Sequence, residues 1–144
     1  MEKPKREDVL LFSGGLDSLI AWFYLDKPKC LYVDLGHKYA MKEMKAINDV
    51  NVELVGNGIE PPEIIYRELP LGDVEEEDAN IPMRNSLLAH LGAIYGNTIW
   101  IVVQKGETNI PDRSFPFFHN VTHLLRMLNE DDTIEVDSPF WTMT

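Results

Sequence analysis

The chain has 144 residues, a net charge of −11 and a single cysteine. That length bounds it to one domain, residues 1–144, large enough to bury a core. The charge excludes a broad nucleic-acid-binding face, Cys30 alone excludes an internal disulfide or a multi-cysteine zinc site, and no apolar run nears the ~20 residues of a membrane span.

The first residues, Met1 to Arg6, are charged, and the apolar run that follows is too short for a signal peptide, so a cytoplasmic protein is expected. Residues 8–13 form that run, bounded by charge before and Gly-Gly after, which predicts a buried parallel strand. A helix is predicted over 16–25, with Leu16, Leu19, Ile20, Phe23 and Tyr24 as its apolar face, ended by Asp26-Lys27-Pro28. Residues 30–34 read as a second strand with Cys30 as a buried thiol, and 39–50 as a helix with Met41, Met44 and Ile47 facing inward. Residues 51–55 and 64–69 both look like strands, of which one is expected to join the sheet. An acidic loop over 73–80 precedes a helix over 84–95, with Pro82 near its start and Gly96 at its end. A strand over 98–103, a helix over 115–128 and a short strand over 133–136 complete the chain. This alternation predicts an α/β fold: three α/β/α layers around a parallel five-stranded sheet. In such folds ligands bind beyond the carboxyl ends of the strands, where the strand order reverses.

The sharpest motif lies there. Ser13-Gly14-Gly15-Leu16-Asp17-Ser18 joins an apolar strand to a helix. Glycines let the backbone approach a ligand, and a helix start offers unpaired N–H groups and a positive dipole end to an anion. Ser13 and Ser18 add hydroxyl donors, while Asp17 suits loop ordering or Mg²⁺ rather than phosphate itself. No Gly-Lys-Ser/Thr follows, which excludes the phosphate loop of common GTPases. Further along, Arg84 opens a helix, where its planar fork would neutralise phosphate or simply face solvent. Asn85 beside it would bond the loop, a nucleotide edge, or the helix start as a cap. His119 and His123 stand four apart on a helix, but no third ligand accompanies them and no metal site is expected.

The Ser-Gly-Gly-Leu-Asp-Ser run resembles the signature of the PP-loop ATP pyrophosphatases, which activate a carbonyl or carboxyl oxygen as an adenylate and release pyrophosphate. Asn80-Ile81-Pro82-Met83-Arg84-Asn85 is similar to the Val-Pro-x-Arg-Asn motif of the 7-cyano-7-deazaguanine synthases in that superfamily. Ile110-Pro111-Asp112-Arg113 resembles their Tyr-Pro-Asp-Cys-Arg segment without its cysteine, and Gly36-His37-Lys38-Tyr39 stands where they have Gly-Gln-x-His. The resemblance implies a PP-loop fold and an ATP- and Mg²⁺-dependent C–N ligase acting on a deazapurine acid and ammonia. It assigns ATP contacts to Ser13 through Ser18, Asp34 and Arg84, with Asp17 and Arg84 catalytic. It assigns substrate contacts to Asn85, Lys105, Asp112 and Arg113. Lys105 or Lys38 would stand in for a family lysine near the phosphates. The family continues into further helix and a zinc-binding cysteine cluster, so the resemblance implies a short form without zinc. That form would be a homodimer, half of a split enzyme completed by a second polypeptide, or a non-catalytic nucleotide-binding remnant. Other PP-loop amidation and tRNA thiolation remain alternatives of substrate; direct nucleic-acid binding is not expected.

Overall fold

The apolar run at Asp8–Leu11 becomes the middle strand of a sheet, with Val9 and Leu10 fully buried, as a strand covered on both faces requires. The computed structural model describes residues 7–77 and 81–141, and of Lys105 the backbone alone. The elements run β1 (Asp8–Leu11), α1 (Leu16–Tyr24), β2 (Lys29–Asp34), α2 (Ala40–Gly56), β3 (Ile64–Glu68), α3 (Arg84–Tyr95), β4 (Thr98–Trp100), α4 (Phe115–Asn129) and β5 (Glu135–Asp137), with short 3₁₀ turns between. All five strands pair in parallel in the order β3-β2-β1-β4-β5.

Because side chains alternate along a strand, β1 feeds two cores. Val9 and Leu11 face Leu88 and Ala89 of α3 and Val121 and Leu125 of α4. Leu10 and Phe12 face Ala21 and Trp22 of α1 and Ile47 and Leu54 of α2. The helices therefore flank the sheet in pairs. Right-handed crossovers explain the pairing: the chain winds outward from β1 to β3, then returns past β1 and winds the other way. The order reverses between β1 and β4, which fixes where the crevice opens. The expectation of an α/β fold on a parallel five-stranded sheet is met.

Several local expectations are corrected. The buried face of α1 is Ser18, Ala21 and Trp22, while Leu16, Ile20, Phe23 and Tyr24 are exposed. Ser18 and Ala21 are small and Trp22 is large and apolar, so the inner face mixes sizes and is not the one that the spacing of Leu16, Ile20 and Phe23 marks. Met41 and Met44 likewise point outward, and α2 buries Ala40, Ile47 and Leu54, spaced by seven. That spacing carries the helix through 51–55, so the strand expected there is the end of α2 and Ile64–Glu68 is the strand that joins the sheet. β4 stops at Trp100 rather than Val103, because the Ser138 hydroxyl takes over the pairing there. Its Oγ accepts from Val103 N at 3.0 Å and donates to Val103 O at 2.7 Å. Among the described residues no helix is long and apolar enough to cross a membrane.

Candidate anion-binding site at the strand reversal

The loop leaving β1 is shaped by backbone crowding. Gly14 has φ +79°, and a Cβ there would stand 2.7 Å from both the backbone N and Cγ1 of Ile47 on α2. Only glycine allows α2 to press this close to the loop. Ser13 and Ser18 then tie the loop across its base: their hydroxyls lie 2.8 Å apart, and Ser18 Oγ accepts from Ser13 N at 3.2 Å. Gly15 ends the loop as the N-cap of α1, and it has no side chain with which to close the helix start. The same chain closes α4 in the ordinary way, with Ser114 Oγ accepting from Phe117 N at 3.3 Å. The N-cap residues of α2 and α3 give no side-chain cap either, so what sets the start of α1 apart is the glycine loop before it.

Across the reversal, Gln104 Nε2 donates to Asp17 Oδ2 at 2.8 Å, joining the segment after β4 to the first turn of α1. Behind this bridge lies a pocket of about 160 Å³. It is walled by Ser13 and Ser18 of the loop, Tyr32 of β2, Glu43 of α2, Arg84 and Asn85 of α3, and Glu107 and Arg113 of the segment before α4. Arg84 brings a guanidinium whose Nε is buried and has no hydrogen-bond partner among the described residues. A buried donor left open is costly, on the order of 1–3 kcal/mol, and more for a charged group. It is the kind of group an anion would complete.

The remaining candidates divide. Asn85 is buried and structural in its bonds: its Nδ2 donates to Asp112 O at 2.9 Å, and its backbone N donates to Asp112 Oδ2 at 3.2 Å. Asp112 therefore caps α3 with one carboxylate oxygen and anchors the segment that carries Arg113, and it does not itself line the pocket. Arg113 does line it, held by Glu107 at 2.6 Å. Asp34 lies off the wall, its Oδ1 accepting from Gly36 N at 2.8 Å in the turn after β2. Leu16 is exposed at the loop's outer edge. Asn80 and the Lys105 side chain lie outside the described residues. His119 and His123 stack edge to face on the exposed side of α4, 4.5 Å between centroids. Among the described residues no group of three or more metal-ligating side chains forms.

Sequence reasoning missed Tyr32, Glu43 and Glu107. Tyr32 is buried on β2, and its one hydroxyl proton is shared between Ala40 O at 3.3 Å and Glu43 Oε1 at 3.4 Å. Burial first, then the charges of Glu43 and Asp34, push that hydroxyl's pKa up, while Arg84 pulls it down. The same Glu43 oxygen meets His37 Nε2, and His37 Nδ1 is buried without a partner among the described residues. Glu43 shares a helix face with Ala40 and Ile47, and an acid among buried positions was the signal available.

The residues present fit the groups the sequence implies. A glycine loop before a helix start, two hydroxyls and a guanidinium whose Nε has no partner among the described residues suit phosphate. Asp17 suits Mg²⁺, which needs only one or two carboxylates when phosphates and water complete its shell. No family model matches the chain, and no curated protein and no solved structure does either.

Proposed function

We propose that this chain is a PP-loop ATP pyrophosphatase that activates a carboxyl group as an adenylate for attack by ammonia. The observation that carries the reading is convergence: Ser13 and Ser18, which tie the loop to the first turn of α1, and Arg84, whose Nε has no partner among the described residues, line one pocket on the strand reversal. A helix start and a guanidinium suit the same ligand, an oligophosphate. The Ser13 to Ser18 loop takes the β- and γ-phosphates, and Arg84 neutralises the charge that builds as pyrophosphate leaves. Mg²⁺, held by Asp17 with the phosphates, supplies further charge neutralisation when bound. Arg113 faces the acceptor carboxylate and orients it toward the α-phosphorus. Asp112, off the wall, sets Arg113 in place, and Asn85 on the wall holds Asp112. The acceptor we favour is 7-carboxy-7-deazaguanine on the way to 7-cyano-7-deazaguanine, by the likeness of the Arg84-Asn85 and Asp112-Arg113 segments to that family.

The test is product analysis with ATP, Mg²⁺, ammonium and the deazapurine acid. AMP and pyrophosphate, formed only when the acid is present, are expected. Release of orthophosphate, or no turnover with any acid, would overturn the reading.

A further inference from the structure

We propose that Glu43 is the receptor for an amino or ammonium group in this pocket, with His37 and Tyr32 as positioning residues. The inference rests on the adenylate-forming reading above and names how its nitrogen nucleophile is held. An acid is an odd wall for an oligophosphate pocket, since like charges repel. Glu43 nonetheless lines it together with Ser13, Ser18 and Arg84. The carboxylate is fixed through one oxygen: Oε1 meets His37 Nε2 and accepts from the Tyr32 hydroxyl at 3.4 Å. Its other oxygen, Oε2, has no hydrogen-bond partner among the described residues. Both donors are well shielded, with the His37 side chain only 7% exposed and Tyr32 4% exposed. A half-buried carboxylate held by two shielded groups and open on one oxygen is set to accept an N–H, not to coordinate phosphate.

Its place in the fold fits that role. Glu43 lies one helical turn before Ile47, the residue that presses on Gly14 of the loop. Glu43 also lines the same pocket as Arg113, the residue proposed to face the acceptor carboxylate, which is where a nucleophile must be delivered. In the proposed step the nitrogen lone pair forms a C–N bond to the activated acyl carbon. The bond from that carbon to the adenylate oxygen breaks, and AMP leaves with the electron pair. The proton lost from nitrogen goes to Glu43 Oε2.

The amino group has two possible sources: free ammonia, or an exocyclic amine on the bound nucleotide or acid. Glu43→Gln, Tyr32→Phe and wild type would be compared in acid-dependent ATP–pyrophosphate exchange, which needs no ammonia, and in amide formation. If ammonia is the ligand, Glu43→Gln keeps exchange within about threefold and loses about 100-fold in amide formation. Hydroxylamine, which attacks adenylates without a base, then gives the hydroxamate and AMP at close to the wild-type rate. If the amine belongs to a substrate, exchange itself falls through a raised KM for ATP or acid, and the ammonium KM is unchanged. Equal exchange and equal amide formation in Glu43→Gln and wild type overturns the inference. So does an even loss of every activity that tracks a lower melting temperature. Should Glu43→Gln fail to fold, Tyr32→Phe keeps the carboxylate and is expected to show the same split at smaller size; no split overturns the inference. Wild type without exchange on any acid sinks the reading above and this inference with it, whereas exchange with no Glu43 effect sinks this inference alone.

Discussion

The two ends of the sheet treat their polar groups in opposite ways. At the amino end the polar groups beside the strand starts bond one another. Asn97 Oδ1 accepts from Glu7 N at 2.8 Å, and its Nδ2 donates to Thr133 Oγ1 at 3.0 Å. Asn97 O accepts from Glu135 N at 2.8 Å, and Lys29 Nζ donates to Tyr95 O at 2.7 Å. At the carboxyl end, a helix start has no cap, Arg84 Nε has no partner, and Glu43 uses one oxygen of two. A cleft exists at both ends, since Glu7, Asn97, Asn129 and Asp131 also border one. Concavity therefore does not separate them; the gathering of open groups, Arg84 and Glu43, on one pocket wall does. Folding alone favours completing such bonds, so leaving them open at one end points to a ligand that completes them.

The strongest way to break this comparison is Arg84→Ala. If Arg84 waits for an anion, its removal raises the Kd for ATP–Mg²⁺ by roughly 10- to 100-fold, the ~1.5–3 kcal/mol of a charged hydrogen bond. The melting temperature should hold or rise, because a buried Nε with no partner among the described residues is removed. Calorimetric titration and thermal unfolding of the same variant check both halves. Unchanged affinity with a clear loss of stability would make Arg84 a structural residue.

Asn97→Ala is the opposite case and the smaller effect. It removes two side-chain hydrogen bonds at the closed end. We expect a loss of about 1–2 kcal/mol in urea unfolding, with ATP–Mg²⁺ affinity unchanged. A change in affinity of more than a few-fold would show that the two ends are coupled, and the comparison would fail.

Much of this was legible in the sequence, for reasons that differ by region. β1 and its Gly-Gly turn were readable because a run buried on both faces and a φ of +79° leave little choice of residue. The face of α1 was not readable. Hydrophobic periodicity sees Leu16, Ile20 and Phe23, whereas the buried face is Ser18, Ala21 and Trp22, a mix of polar, small and large that no apolar spacing marks. Residues 51–55 misled for the complementary reason: the valines suggest a strand, but Leu54 continues the inner row of α2 set by Ala40 and Ile47. In the site, Arg84 and Ser13 were found by motif. The division between Arg113 on the wall and Asp112 behind it depends on which carboxylate meets which helix start, a tertiary fact that spacing does not contain.

The finest comparison is along a single strand, where Cys30 and Tyr32 share one face of β2 and the same core. Burial pushes the Cys30 thiol up from 9.0 to about 12, with the charge of Glu63 adding to it. Tyr32 is raised by burial first and by Glu43 next. In both, the folded state holds its proton more tightly than the unfolded chain. Above pH 9 the unfolded thiol loses its proton while the folded one keeps it, so the unfolded state binds fewer protons and stability falls as pH rises. The slope is about 1.4 kcal/mol per pH unit until the folded thiol also titrates. Cys30→Ala removes that slope. Urea unfolding from pH 9.5 to 11 should therefore show wild type losing stability faster than the variant by close to this amount per unit. Tyr32 remains in both chains and steepens both curves as its unfolded value is passed, so it cancels from the difference. Parallel curves would mean that the thiol reaches solvent in the folded chain. The buried face shared by β2 and α2 would then be looser than the tight contact of Ile47 on Gly14 requires.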